Sequence, residues 1–197
     1  MYIDDHEDLP LGCRTSQEWV NTVLSDVDTF LLDHAANERK ASATAMKFVV
    51  RYPNHHGLVE AMIQLAREEL THFHRVYRIT AARGLIFESD TKDPYVNGLA
   101  KHMLRGGDDE LLDRLLIAGI VEARGCERFA LLSNALEDEE LRAFYAELAT
   151  SEARHRALFV DVAREIFPEE RIQNRLQTLL RHEAEVVRTI PLRAAVH

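Results

Sequence analysis

Two short motifs carry the side chains most suited to chemistry: Glu69-Leu-Thr-His72 in REELTHFHRV and Glu152-Ala-Arg-His155 in TSEARHRALF. Residues three apart share a helix face, so each motif can offer a carboxylate and an imidazole to the same ion. With 20 Glu and 10 His in 197 residues, about one such pair is expected by chance, so neither motif means much alone. What precedes them is more informative. Glu38 stands 31 residues before Glu69, and Glu122 stands 30 before Glu152. Down one helix and back along its partner, about 15 residues each way at roughly 1.5 Å per residue, the chain returns to the same level. Each glutamate should therefore face its Glu-x-x-His across a helical hairpin. Four carboxylates and two imidazoles suit paired iron or manganese. Structural zinc prefers thiolates in a closed tetrahedral site.

The elements needed to position these residues are legible as helices. Apolar residues recur at helical spacing nearly throughout, without the β-branched alternation of a sheet, and the chain reads as all-α. A short helix is expected from Ser16, and a long one from about Asp26 to Arg51, ending at YPNHHG. A second long helix is expected from about His56 to Arg83, with Gly84 as its stop. Residues 84–107 contain Pro94, Asn97-Gly98 and Gly106-Gly107 and read as a crossover with a short helix near 95–105. A third long helix is expected from an Asp108 or Asp109 cap to about Asn134. The fourth follows LEDEE and ends before Pro168, and an amphipathic helix over 169–188 packs outside the bundle. Hairpin, crossover, hairpin describes a four-helix bundle with one long crossover between helices two and three, plus flanking N- and C-terminal helices. One domain over 1–197 is expected, with a bundle core of about 26–167. Its ligand inventory is that of ferritin-like di-metal carboxylate proteins.

Competing ligands lie close by: Glu68 is four residues from His72, and His34 and His74 flank the motifs. The repeated three-residue spacing favours Glu69. Small residues surround the two lone glutamates, with Ala35, Ala41, Ser42 and Ala45 about Glu38, and Ala118, Gly119, Gly125 and Cys126 about Glu122. Cys126, Tyr77 and Tyr145 are expected to be packed core residues. Cys13 and Cys126 are too few for a disulfide scaffold, the acidic start MYIDDHEDLP lacks a signal-peptide pattern, and the longest apolar run is far too short to span a bilayer. A cytoplasmic protein is expected.

Beyond the metal motif, the chain resembles the ferritin-like tRNA hydroxylases that act on 2-methylthio-N6-isopentenyladenosine beside the anticodon. The resemblance spans nearly the whole bundle: ANERKAS around Glu38, LAREELTHF around Glu69 and His72, Ala82 to Gly84 with Lys101 and His102 in the crossover, VEARGCERF around Glu122, and LATSEARHRALF around Glu152 and His155. It implies an O2-dependent di-iron monooxygenase that hydroxylates the isopentenyl group. Two iron ions would be held by Glu38, Glu69, His72, Glu122, Glu152 and His155, and tRNA would be the substrate. No Gly-rich nucleotide fingerprint is present, so electrons must come from a separate reductase or other donor. A net charge of −9 argues against a whole-surface affinity for nucleic acid or membrane. It is uneven, however: −7 over residues 1–33, +4 over 34–107 and −6 over 108–197. Arg83, Lys101 and Arg105 are the candidate tRNA-phosphate contacts, within a local excess that counts Glu88, Asp90 and Asp93 against it. The competing readings are a ferroxidase or storage protein, a peroxidase, a hydroxylase of another small apolar substrate, and a bundle without catalytic activity.

Overall fold

The computed structural model describes residues 11–87 and 92–197, and among them there are seven α-helices and no strand. These are α1 (Gln17–Ser25), α2 (Val27–Arg51), α3 (His56–Ala82), α4 (Pro94–Ala100), α5 (Gly107–Ala135), α6 (Glu139–Ile166) and α7 (Glu169–Thr189). The acidic start of the chain, together with Glu88 and Asp90, lies outside the described residues.

Local chemistry sets the helix ends. The Asp26 side chain accepts from Thr29 N–H to open α2, and Asp138 accepts from Glu140 and Leu141 N–H to open α6. At the end of α3, Gly84 takes φ +71, where its N–H donates to Ala81 and Leu85 N–H donates to Thr80. This is a Schellman stop, which needs the left-handed conformation that glycine tolerates. Two expected boundaries move. The cap of α5 is Gly106 at φ +85, not Asp108 or Asp109. Glu110 reaches back to accept from Gly106 N–H, so both aspartates fall in the first turn, where they oppose the positive end of the helix dipole. The crossover helix runs over Pro94–Ala100, not 95–105, because Asp93 caps it and Pro94 occupies its first turn.

The chain forms two compact units. One holds α2 and α3, within Asn21–Thr91, together with Arg193–Val196. The other holds α4 to α7, within Lys92–Leu192, together with the N-terminal segment up to Val20 and His197. In the first, α2 packs along α3, with Phe30, Leu31, Phe48, Leu58, Met62 and Val76 buried, and Ser42 Oγ donates to Ala66 O at 2.8 Å. In the second, α5 packs along α6, and α7 lies against α4, α5 and α6. Cys126 and Tyr145 are buried as expected. Tyr77 is not. It is 45% exposed, on the strip of α3 that also carries the exposed Ile63 and Leu70.

Candidate metal centre

Each unit contains one helical hairpin with its own acid and imidazole groups. In the α2/α3 unit, Glu38, Glu69, His72 and His34 are all buried. His72 Nδ1 lies 3.5 Å from Glu38 Oε2 and 3.7 Å from Glu69 Oε2. The hairpin thus brings Glu38 to the level of Glu69 and His72, as the 31-residue spacing requires. His34 lies one turn before Glu38 and hydrogen-bonds to its Oε1 at 2.6 Å through Nε2. His34 therefore orients the carboxylate, leaving Oε2 directed at His72.

The neighbouring alternatives point elsewhere. Glu68 is only half-buried, with Oε1 accepting from Gln64 Nε2, and His74 is exposed. One residue along a helix is a turn of about 100°, enough to place Glu69 inside and Glu68 at the rim.

In the α5/α6 unit, Glu152 and His155 are buried, and His155 Nδ1 approaches Glu152 Oε2 at 3.1 Å. Glu122 is half-buried on α5. The Cys126 thiol reports on this neighbourhood. Burial and the charges of Glu152, Glu127 and Glu122 raise its pKa to about 11 against an opposing effect of Arg156, and its Sγ lies 3.2 Å from Ala149 O. It is therefore a protonated, packed thiol at neutral pH.

Buried carboxylates need cations, and the same unit shows what a purely structural solution looks like. Arg124, two residues beyond Glu122 and fully buried, donates to Glu183 Oε1 through Nε and Nη2 at 2.9 and 2.7 Å. It also bonds Glu127, Thr15 Oγ1 and Cys13 O. Tyr95 OH completes the cluster by donating to Glu183 Oε1 at 3.0 Å. Burial would lower the Arg124 pKa, but Glu183 and Glu127 raise it overall. Arg128 has the opposite balance, held down to about 10 by burial and by Arg124. Sequence reasoning missed this cluster, because Glu183 is 59 positions from Arg124 and reads as one acid on a charged helix. Around Glu38, Glu69, Glu152 and their histidines the neighbours described above are imidazoles and carboxylates. This donor set suits a hard or borderline divalent metal. Of the candidate tRNA contacts, Lys101 and Arg105 are exposed, whereas Arg83 Nε is bound to Asp28 Oδ1 at 2.7 Å.

Comparison with known proteins identifies the family and the fold. The family model described as tRNA-(MS2IO6A)-hydroxylase (MiaE) matches residues 5–197. A Pseudomonas putida protein named tRNA 2-(methylsulfanyl)-N(6)-isopentenyladenosine(37) hydroxylase is 36% identical over 91% of this chain and 87% of its own length. A Salmonella typhimurium protein of the same name is 35% identical over 66% of this chain and 47% of its own. Among solved structures, a Synechococcus protein titled "Protein 43 with aldehyde deformylating oxygenase activity" superposes with a TM-score of 0.91 at 37% identity, covering 95% of this chain and 94% of that one. The fold is ferritin-like and all-α. The chain is an enzyme that belongs to the tRNA-(MS2IO6A)-hydroxylase (MiaE) family.

Proposed function

We propose that this enzyme hydroxylates the isopentenyl side chain of 2-methylthio-N6-isopentenyladenosine in tRNA, using O2 and a carboxylate-bridged di-iron centre. The single observation that carries the metal assignment is the repeated one: a buried Glu-x-x-His turn in each hairpin, its imidazole turned toward its own carboxylate. On this reading the two units act as one domain. Glu38, Glu69 and His72 supply one half of the centre, and Glu122, Glu152 and His155 the other.

When bound, paired iron supplies the redox chemistry that activates O2 toward an allylic C–H bond. The chain's own groups do the rest. The four glutamates offset the charge of two divalent ions. His72 and His155 would each offer a neutral ring nitrogen to an ion, beside the carboxylates of Glu69 and Glu152. His34 keeps Glu38 in one orientation. Glu38, Glu69, His72, Glu152 and His155 are themselves buried from solvent. One oxygen atom of O2 enters the C–H bond as hydroxyl and the other leaves as water, which consumes two protons and two electrons from an external donor. A separate reductase fills that role, and the tRNA substrate places the reaction in the cytoplasm. Among the described residues no helix is long and apolar enough to cross a membrane.

The test is a nucleoside digest after incubating iron-loaded protein, reductant and O2 with prenylated tRNA. The expected product is the modified nucleoside heavier by one oxygen atom. Its absence from a protein with filled metal sites would remove the reading. A second reading, an oxygenase acting on an aldehyde, is favoured by the similarity to the Synechococcus protein. It is distinguished by offering an aldehyde in the same assay.

A further inference from the structure

Ten large apolar side chains are exposed among the described residues, and four of them, Ile63, Leu70, Tyr77 and Ile86, lie on α3 or the loop that follows. Ile63, Leu70 and Tyr77 are spaced by seven, so they form one stripe along the helix. Apolar side chains grouped in this way on a surface mark a place where something binds. At the C-terminal end the stripe becomes aromatic. The Tyr77 ring stacks on Phe87, with centroids 5.7 Å apart and planes 17° apart, and Phe73 tilts against both at 6.2 and 6.3 Å.

The charge beside the C-terminal half of this stripe is mainly basic, although Asp28 of α2 pairs with Arg83 and the exposed Glu60 lies one turn before Ile63. Between Leu70 and Phe87 there is no acidic residue, and Arg75, Arg78 and Arg83 fall within that span. Arg67, His74 and Arg78 are exposed and run parallel to the stripe, about 100° or less around the helix from it. A lipid or protein partner would gain from aliphatic bulk at this end as much as from rings. Stacked rings bordered by arginines fit an unpaired base and its phosphates better, since every base offers a π-face and guanidinium groups hold the backbone.

We propose that Tyr77 and Phe87 form a stacking platform for an unpaired base in the loop of the RNA substrate, with Arg78 holding a neighbouring phosphate and Arg67, about 15 Å further along α3, one more distant on the same strand. This rests on the tRNA-hydroxylase reading and identifies how that substrate is held outside the metal centre.

The experiment uses the full chain and a prenylated anticodon stem-loop RNA, with Kd measured by fluorescence anisotropy across a salt series and thermal unfolding recorded for each variant. Tyr77→Leu keeps apolar bulk but removes the ring, and it should raise Kd about tenfold without changing the salt slope. Tyr77→Trp should restore wild-type binding. Arg78→Ala should make the slope shallower by about one phosphate contact. Equal Kd values for wild type and Tyr77→Leu, or a Tyr77→Trp variant as weak as Tyr77→Leu, would overturn the platform. A Tyr77→Leu variant that binds RNA normally but is reduced more slowly by a donor protein would assign the surface to that protein and overturn it as well. Wild-type turnover is followed in parallel. If the wild type hydroxylates the RNA while Tyr77→Leu binds it unchanged, only the platform falls. If the wild type neither binds nor hydroxylates the RNA, the tRNA reading falls and takes the platform with it.

Discussion

Replacing Arg124 with Met isolates the role of the EARGCERF segment. Arg124 is fully buried, as is Glu183, and their bonds at 2.7 and 2.9 Å join α5 to α7, while Cys13 O and Thr15 Oγ1 bring in the N-terminal segment. Methionine fills most of the volume but leaves the Glu183 carboxylate without its guanidinium. Removing one partner of a buried pair costs about 3–5 kcal/mol, because the remaining charge stays desolvated. In a chain of this size each kcal/mol lowers Tm by roughly 2–4 °C, so the expected fall is roughly 6–20 °C. Urea unfolding of the wild type, Arg124→Met, Glu183→Leu and the double variant gives the coupling energy. The double variant, which removes both fully buried charges, should recover much of the loss, short of about 1–3 kcal/mol for the Tyr95 hydroxyl left without its acceptor and for the part-exposed Glu127 carboxylate left without Arg124. An Arg124→Met variant that unfolds within about 2 °C of wild type, or single effects that simply add, would refute this account of the cluster.

Three further outcomes follow from other parts of the structure. Burial raises the Asp93 pKa, but His197 and the N–H groups of Tyr95 and Val96 outweigh it and lower the value from 3.8 to about 2. The contribution to stability is therefore complete above about pH 4 and lost as pH falls toward 2; at about 1.36 kcal/mol per pKa unit it amounts to about 2 kcal/mol. In acid titrations of unfolding, the stability gap between wild type and Asp93→Ala should narrow across that window, and a constant gap would contradict the assignment. A Cβ on Gly98 would meet Val186 Cγ1 at 2.8 Å and Cγ2 at 3.0 Å. Gly98→Ala should thus cost about 1–3 kcal/mol in denaturant unfolding, and Val186→Ala should relieve part of it. Iron at a hundredfold excess over its Kd should stabilise the protein by about 2.7 kcal/mol, reversibly on chelation, and His72→Ala and His155→Ala should each lower the bound iron measured by metal analysis. Unchanged iron content in both variants would remove those ligands from the proposal.

The parts legible in the sequence were those set by local periodicity. The long helices and their hairpin pairing follow from the 3.6-residue repeat and short links, and the spacing of 31 residues places Glu38 beside His72 because helical rise is fixed. The resemblance likewise led to the family and the ferritin-like fold. Features that depend on three-dimensional closeness were hidden. His34 read as a rival ligand, although its four-residue spacing from Glu38 already permitted the hydrogen bond found. Asp108 and Asp109 looked like caps, but a side chain reaching back from Glu110 moved the helix start to Gly106. Tyr77 looked like core because aromatic residues usually are, and only the direction of its helix face shows that it is exposed. The Arg124 and Glu183 pair links residues far apart in the chain, beyond the reach of any spacing rule.

Turnover under isotopically labelled O2 tests the central claim most directly. Iron-loaded protein, reductant and prenylated tRNA should give a hydroxylated isopentenyl group carrying one labelled oxygen atom, with a Glu69→Ala, Glu152→Ala double variant giving none. A hydroxyl that takes its oxygen from water, or turnover that survives loss of both glutamates, would contradict an O2-dependent di-iron hydroxylase built on the two Glu-x-x-His turns.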